Sequence, residues 1–150
     1  YVNGKLYEIT LYLDLFNNEI IGHAVSTTRG DPRTYHEGLI NVLNKKKEQP
    51  NLEMILHTDQ GSVYSSKSFN ELLPYYNIKR SMSRAGTPTD NATMESVIGW
   101  VKEELFMDFN IKKAENIEKA IENYIYYFNN ERPGIWLPGL STLDLIVLGR

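Results

Sequence analysis

Apolar and polar residues alternate along residues 6–16, which read LYEITLYLDLF, and this pattern predicts a β-strand. Leu11, Leu13 and Leu15 would share one face of that strand. Asn17 and Asn18 form a turn signal, and residues 19–28 (EIIGHAVSTT) have the composition of a second strand. Two such strands joined by a short turn predict a β-hairpin.

The spacing becomes helical after residue 31. Asp31 is predicted to be an N-cap and Pro32 to take the first helical position. Lysines 45–47 would close this helix at its C-terminal end, where the helix dipole favours cations. The residues predicted to share its buried face are Tyr35, Leu39, Ile40 and Leu43. The continuously apolar run at 52–57 (LEMILH) predicts a short strand buried between two layers.

The second half of the chain is mainly helical in pattern. A helix is predicted at 66–76, with Phe69, Leu72 and Leu73 facing inward, and a brief edge strand at 78–80. Residues 83–91 (SRAGTPTDN) form a loop, since Gly, Pro, Thr and Asp predominate. Further helices are predicted at 91–107, 114–129 and 141–148. This order of elements predicts one α/β layered domain spanning residues 1–150.

Composition narrows the class of protein without identifying a function. With 150 residues, 41% of them hydrophobic and 23% charged, the chain fits one globular domain. No apolar run approaches the roughly 20 residues of a membrane span, and the absence of cysteine excludes disulfides and thiolate metal sites. The net charge of −3 does not by itself suggest a nucleic-acid partner. Because the chain begins at Tyr1 rather than Met, we expect it to be truncated at its N-terminus.

Asp59 is the first candidate for site chemistry. It directly follows the apolar run and precedes Gly61 by two residues, in HTDQGSVYSS (57–66). A carboxylate at a strand end can hold Mg²⁺, and a nearby glycine lets a phosphate approach closely. The same acid can instead cap a turn. The local sequence leaves both interpretations open.

Glu95 is the second candidate, in the helical segment DNATMESVIGWVKEEL (90–105). Gly99 and Lys102 follow it on the same helical face, since Lys102 lies seven residues, or about two turns, further on. A carboxylate, a gap without a side chain and a lysine in one line could form a groove for a sugar–phosphate backbone. An ordinary solvated helix face is the alternative. Asp90 is predicted to be the N-cap of this helix.

Several ordered motifs resemble one family. HTDQGSVY, KRSMSRAGTPTDNATMESVIGWVKEEL and YYFNNERPG are similar to the integrase core of bacterial insertion-sequence transposases, which are related to retroviral integrases. These belong to the DDE group, and the resemblance implies a ribonuclease H-like fold, a mixed sheet flanked by helices. The second acid and the glutamate of this family are separated by 35 residues, and residues 60–94 supply that spacing between Asp59 and Glu95.

The resemblance implies a role for each matching residue. Asp59 and Glu95 would be the second and third catalytic acids and ligands of Mg²⁺ or Mn²⁺, with DNA as substrate. Residues implied to contact DNA are Lys102, Gln60, Asn91, Arg84 and, less directly, Lys79. The signature Asn130–Glu131–Arg132 would fix the end of the fold rather than perform chemistry. The chain departs from the family pattern at Gly134 and Thr142.

The first catalytic aspartate of the family lies on the first strand, which would precede Tyr1. We therefore expect that strand, the central one of the sheet, to be missing or truncated. Asp14 matches a position on the second strand instead, and it points away from the Leu11 face. With two of three acids, the two-metal site would be incomplete, so weak metal affinity and little strand transfer are expected from the chain alone.

The resemblance also implies a setting. It points to a bacterial, cytoplasmic, nucleoid-associated protein with no membrane association, to homo-oligomers, and to an N-terminal helix-turn-helix region or partner protein that reads DNA. Three functional hypotheses remain open from the sequence. They are a transposase core that cuts and joins DNA, an inactive relic or assembly module, and a ribonuclease H-like nuclease without strand transfer.

Overall fold

The computed structural model describes residues 1–15, 17–48, 50–84 and 92–133 and the backbone of 144–149. Its strands are β1 (Glu8–Asp14), β2 (Glu19–Ser26), β3 (Met54–Thr58), β4 (Ile78–Met82) and β5 (Asp144–Gly149). Its helices are α1 (Pro32–Lys47), α2 (Lys67–Leu72), α3 (Ala92–Met107) and α4 (Ile117–Asn130), with 3-10 turns at Leu73–Tyr76 and Ile111–Lys113. The predicted hairpin, the predicted strand at 52–57 and the predicted helices at 91–107 and 114–129 are confirmed.

The five strands form one mixed sheet in the order β2-β1-β5-β3-β4. β1 is antiparallel to both β2 and β5, whereas β3 is parallel to both β5 and β4. The first residues of β1 and the last residues of β3 therefore lie at the same end of the sheet along the strand direction. β4 is an edge strand, as its short pattern predicted.

The C-terminal segment corrects two expectations. The helix predicted at 141–148 is wrong, because residues 144–149 form β5. The central position of the sheet, expected to lack its strand, is occupied by β5 between β1 and β3. The sequence DLIVLG is a short apolar run, and such a run fits a buried strand or a buried helix equally well by periodicity. The backbone N–H and C=O groups of β1 and β3 that face this segment need hydrogen-bond partners. A strand supplies them to both neighbours, and the segment is therefore a strand.

Helices cover both faces of the sheet, each over its own hydrophobic cluster. The α1 and α2 side is built around Tyr12, Leu39, Leu56 and Phe69. The α3 and α4 side packs on β1, and its fully or nearly fully buried members include Leu11, Leu13, Leu15, Met94, Val97, Val101, Leu105, Ile121 and Tyr124. Alternation along β1 therefore divides its side chains between the two layers, as the sequence predicted.

The predicted start of α1 is confirmed, because the side chain of Asp31 accepts a hydrogen bond from the backbone N–H of Arg33 at 3.1 Å. Two predicted inward residues are wrong. Ile40 is 51% exposed because the buried stripe of α1 runs through Leu39, Val42 and Leu43. Leu72 is 39% exposed because α2 ends there and a 3-10 turn follows, which rotates the chain. Among the residues that the structure describes, no helix is long and apolar enough to cross a bilayer.

Gly38 allows α1 to lie directly on the sheet. A Cβ at this position would stand 2.5 Å from Cε2 of Tyr12. That ring cannot yield easily, since Tyr12 is fully buried and its hydroxyl donates to the carbonyl of Tyr35 at 2.6 Å. We expect Gly38→Ala to lower the free energy of unfolding by about 2 kcal/mol. The added methyl group would overpack the contact with Tyr12, and the better helix propensity of alanine would offset part of that loss.

Chemical denaturation of Gly38→Ala and Gly99→Ala would test this expectation. A Cβ at Gly99 has nothing within 4 Å, so alanine there should raise stability by about 0.5–1 kcal/mol. Equal stability changes in the two variants would contradict the close approach of α1 to Tyr12.

Candidate active site

Asp59 lies directly after β3 and is half-buried. Its Oδ1 accepts a hydrogen bond from the backbone N–H of Gly61 at 2.7 Å. A Cβ at Gly61 would stand 2.8 Å from that same oxygen, so a side chain at position 61 would displace the carboxylate of Asp59 from this bond. The turn-capping interpretation is thus confirmed. It does not compete with metal binding, because an ionised carboxylate has about four acceptor positions.

The alternation of β3 indicates which of its residues face α1 and α2. Leu56 and Thr58 are fully buried, and Leu56 packs in the cluster under α1 and α2. Asp59 follows one residue beyond the strand, at the C-terminal end of β3.

Glu95 occupies the first turn of α3 and is exposed. The buried stripe beside it is Met94, Val97, Val101 and Leu105, as the spacing predicted. Gly99 and Lys102 are both exposed, and the space above Gly99 is open. The line of carboxylate, gap and lysine predicted from the sequence is therefore present on the surface of α3.

Lys102 lies beside a cavity of about 760 Å³ between α3, α4 and the start of β1. Ile98 and Val101 form part of its apolar wall, and Glu8 and Arg29 also line it. The first residues of β1 and the last residues of β3 lie at the same end of the sheet. The cavity beside Lys102 thus adjoins the end of the sheet at which β3 leads into Asp59.

Side chains around Asp59 tie the end of β3 to the end of β4. The ring nitrogens of His57 lie 2.9 Å from the hydroxyl oxygens of Ser81 and Ser83. Gln60, predicted to contact DNA, is exposed and donates through Nε2 to the carbonyl of Ser83 at 3.0 Å. The backbone N–H of Ser83 donates to the carbonyl of Thr58 at 3.0 Å.

Arg80 is a site residue that the sequence interpretation missed. Its guanidinium donates to Oδ1 of Asn70 at 2.6 Å and to the hydroxyl of Thr58, next to Asp59, at 3.0 Å. Burial lowers the pKa of Arg80, and the nearby carboxylate of Asp59 opposes that shift. The sequence showed only an arginine in a short edge strand, since its partners depend on how β3 and β4 pair.

The remaining predicted residues fall in several places. Arg84 is exposed and directly follows Ser83. Asn91 and Asp90 lie outside the described residues. Lys79 is exposed and pairs with Glu53 at 2.8 Å. The side-chain amide of Asn17 donates to Asp14 at 2.8 Å in the hairpin turn, and the register places Asp14 level with Leu56, three residues before Asp59. These last two side chains therefore have structural partners.

The donor chemistry of the two acids suits Mg²⁺, which prefers carboxylate oxygens with water and phosphate. Within residues 1–15, 17–48, 50–84 and 92–133, however, no three or more His, Asp or Glu side chains are grouped to hold a metal ion. β5 carries one acid in its sequence, Asp144, whose register partner on β3 is Ile55. That position is at the far end of β3 from Asp59.

The C-terminal signature joins α4 to its neighbours. Arg132 makes a double hydrogen bond to Glu104 on α3, with the shortest distance 2.7 Å, and its guanidinium lies over the rings of Trp100 and Phe128. Asn129, one residue before the predicted signature, exchanges two hydrogen bonds with the backbone of Ile20 on β2. Arg132 thus has a structural role, as expected, although the fold continues beyond it to β5.

Solved structures with similar folds are integrase cores. A chain of the simian T-cell lymphotropic virus intasome, in complex with a PP2A regulatory subunit, aligns over 91% of this chain and 47% of its own, with TM-score 0.75 and 16% identity. The HTLV-2 integrase catalytic core domain in complex with magnesium aligns over 88% and 81%, with TM-score 0.63 and 17% identity. The fold is therefore ribonuclease H-like, as expected, with β5 in its central strand position.

The family follows from sequence. Models of the integrase core domain match residues 1–88 and 95–144, and the chain belongs to this family. The putative transposase InsK of IS150 from Escherichia coli is 33% identical over 145 residues, and the IS904 transposase of Lactococcus lactis is 35% identical over 130 residues. These alignments cover 95% and 86% of the chain. The chain spans 50% of the length of either relative.

Proposed function

We propose that this chain is the catalytic core of a DDE transposase, which cuts DNA and joins a 3′-hydroxyl to a target phosphodiester. The observation that carries the proposal is the placement of two acids. Asp59 directly follows the inner strand β3, and the first turn of α3 carries the exposed Glu95. Membership of the integrase core family supports assigning these acids to catalysis.

In this proposal Asp59 and Glu95 hold divalent metal, Mg²⁺ or Mn²⁺. Bound metal would supply activation of the attacking oxygen and stabilisation of the leaving one. Asp59 is kept in place by the N–H of Gly61. Lys102 would fix a DNA phosphate, and the gap at Gly99 would let the sugar–phosphate backbone approach α3. Gln60, Arg84 and Asn91 are proposed as further DNA contacts.

We further propose that residues 1–150 by themselves bind metal weakly and transfer strands poorly. The support is geometric: the described residues provide no group of three ligands, and Asp144 lies at the far end of β3 from Asp59. Calorimetry with Mn²⁺ tests this directly. Tight binding, or full strand transfer by these 150 residues, would contradict it.

The same geometry supports a second candidate, an inactive assembly module that keeps the fold. To separate the candidates, residues 1–150 can replace the matched segment of the InsK relative. Products joined to a target DNA support the transposase, and products that are only nicked support a nuclease. A chimaera that assembles on DNA without either product supports the module.

The groove on α3 gives a separate prediction. Lys102→Gln should weaken DNA binding of the chimaera about fivefold and reduce the slope of log K against log salt by about 0.9, the effect of one lost phosphate contact. Fluorescence anisotropy at several salt concentrations measures both. Lys119→Gln is the control, because Lys119 is an exposed lysine on α4 that pairs with Glu122. Equal effects of the two substitutions would contradict the groove.

Gly99→Ala distinguishes close approach of DNA from simple charge attraction. Alanine there meets no protein atom within 4 Å and leaves every charge in place. We expect about a fivefold loss of DNA affinity with no loss of thermal stability, since a single methyl would displace a backbone contact.

The wider setting is also proposed. Transposon ends and target DNA would be the partners, together with further copies of the chain. The solved neighbours are described as dimeric and trimeric integrase forms and as an intasome. DNA sequence would be read by a helix-turn-helix region or partner protein, in the bacterial cytoplasm at the nucleoid.

A further inference from the structure

Ser83 is bonded at all three of its polar groups by residues that bracket Asp59. Its backbone N–H donates to the carbonyl of Thr58, and its carbonyl accepts from Nε2 of Gln60, both at 3.0 Å. Its hydroxyl lies 2.9 Å from Nε2 of His57. Ser83 is itself only 8% exposed, although it stands where β4 has ended.

These three bonds restrain Asp59 from both sides. Thr58 precedes Asp59 and Gln60 follows it, so the backbone of the acid is held between two attachments to the same residue. The carboxylate adds its own bond to Gly61, which limits rotation of the side chain. The direction of Asp59 therefore depends on where Ser83 stands.

Ser83 also begins the segment that leads to Glu95. Eleven residues separate them, 84–94, so fixing Ser83 against β3 fixes the point from which the chain departs towards α3. One buried serine thereby contacts the segment that carries Asp59 and stands before the segment that leads to Glu95. Ser81 lacks this arrangement: it contacts the other ring nitrogen of His57 from within β4, where pairing with β3 already holds the backbone.

We infer that Ser83 is a positioning residue, which holds Asp59 in the direction needed for divalent-cation binding, with His57 and Gln60 acting through it. This inference rests on the proposed function, in which Asp59 is a metal ligand. It assigns the side-chain amide of Gln60 to holding the Asp59 turn.

The inference can be tested by titrating the 150-residue chain with Mn²⁺ at millimolar concentrations. Binding is measured from the paramagnetic broadening of amide resonances. Ser83→Ala should weaken Mn²⁺ binding about fivefold, the factor for one neutral hydrogen bond. Gln60→Leu should do the same, and because Gln60 is exposed, its substitution carries little risk to folding. Ser81→Ala is the matched control and should stay within about twofold of wild type.

Amide hydrogen exchange supplies a second readout that needs no metal. The N–H of Ser83, bonded to Thr58, should lose protection in Ser83→Ala and Gln60→Leu but keep it in Ser81→Ala. Thermal midpoints of the Gln60→Leu and Ser81→Ala variants should agree, so that a change in Mn²⁺ affinity reports position rather than general stability.

The outcomes separate the inference from the proposed function. If Asp59→Asn removes Mn²⁺ binding while Ser83→Ala and Gln60→Leu bind as wild type does, the positioning role is overturned and the metal site stands. If Asp59→Asn changes nothing, the metal-ligand role of Asp59 fails and the inference fails with it. Loss in Ser83→Ala and Ser81→Ala alike would make the effect a general loosening of β4, which also overturns the inference.

Discussion

Glu95→Gln is expected to abolish DNA cleavage and strand transfer by the InsK chimaera, with rates at least about a thousandfold below those of the unsubstituted chimaera. Losing one carboxylate of a two-metal site removes on the order of 4 kcal/mol of transition-state stabilisation, which corresponds to that factor. Glutamine has the same shape as glutamate, and Glu95 is exposed, so folding should be unaffected. DNA binding should persist, because no positive charge is lost.

The control for this substitution lies on the same helix. Glu103 is exposed and belongs to α3, but it is not matched to a catalytic position. Glu103→Gln should retain activity within about twofold, as expected for a surface substitution. Strand-transfer assays in Mg²⁺ and in Mn²⁺ with both variants decide the matter. Activity that survives Glu95→Gln would remove Glu95 from the site and favour the assembly module.

Glu104→Gln is expected to have the largest effect on stability. Glu104 accepts from Arg132 and from the hydroxyl of Tyr124 at 2.8 Å, and the side chains of Glu104 and Arg132 are only 18% and 12% exposed. Removing the carboxylate leaves a guanidinium held between aromatic rings without its counter-ion. Breaking a mostly buried pair costs about 3 kcal/mol, and the midpoint of thermal unfolding should fall by about 10 °C for a chain of this size.

An exposed ion pair provides the comparison. Lys119 and Glu122 on α4 lie 3.2 Å apart, with side chains 67% and 54% exposed. Glu122→Gln should change the free energy of unfolding by less than about 0.5 kcal/mol, because exposed pairs contribute little. Calorimetry or urea denaturation of the two variants tests the contrast. Similar losses would mean that the Glu104–Arg132 contact does not hold α3 and α4 together.

The effect of Glu104→Gln should depend on pH. Burial raises the pKa of Glu104, but the hydrogen bonds from Arg132 and Tyr124 outweigh it and leave the pKa below its usual value. A carboxylate with a depressed folded-state pKa contributes stability that is fully present above the unfolded pKa of about 4.3 and is lost as the pH falls through the folded value. The difference between wild type and Glu104→Gln should therefore be full at neutral pH and shrink below about pH 4.

Sequence reasoning located both acids through local signals. Asp59 follows an apolar run and precedes a glycine, and Glu95 borders a helical stripe, so each could be assigned to an element without knowing the fold. Their relation to each other came from the family resemblance, since a spacing of 35 residues has no meaning until a fold brings the two ends together. The anchoring role of Ser83 was missed because its three partners come from β3 and the turn after it, which are distant from Ser83 in the sequence.

The C-terminal segment shows the limit of pattern reasoning. DLIVLG is too short and too uniformly apolar for periodicity to choose between helix and strand. Its assignment depends on open hydrogen-bonding positions of β1 and β3, which are distant in sequence. Arg80 was hidden for a similar reason, because its bonds to Asn70 and Thr58 arise only when β4 pairs beside β3.

The sequence by itself determined the hairpin, the cap of α1, the buried stripe of α3 and the family, because each depends on the order of residues within a short segment or on ordered motifs. The tertiary structure decided which strand takes the centre of the sheet and which residues hold the turn at Asp59. Those features depend on register between strands distant in the chain, where a shift of one residue would exchange the two faces.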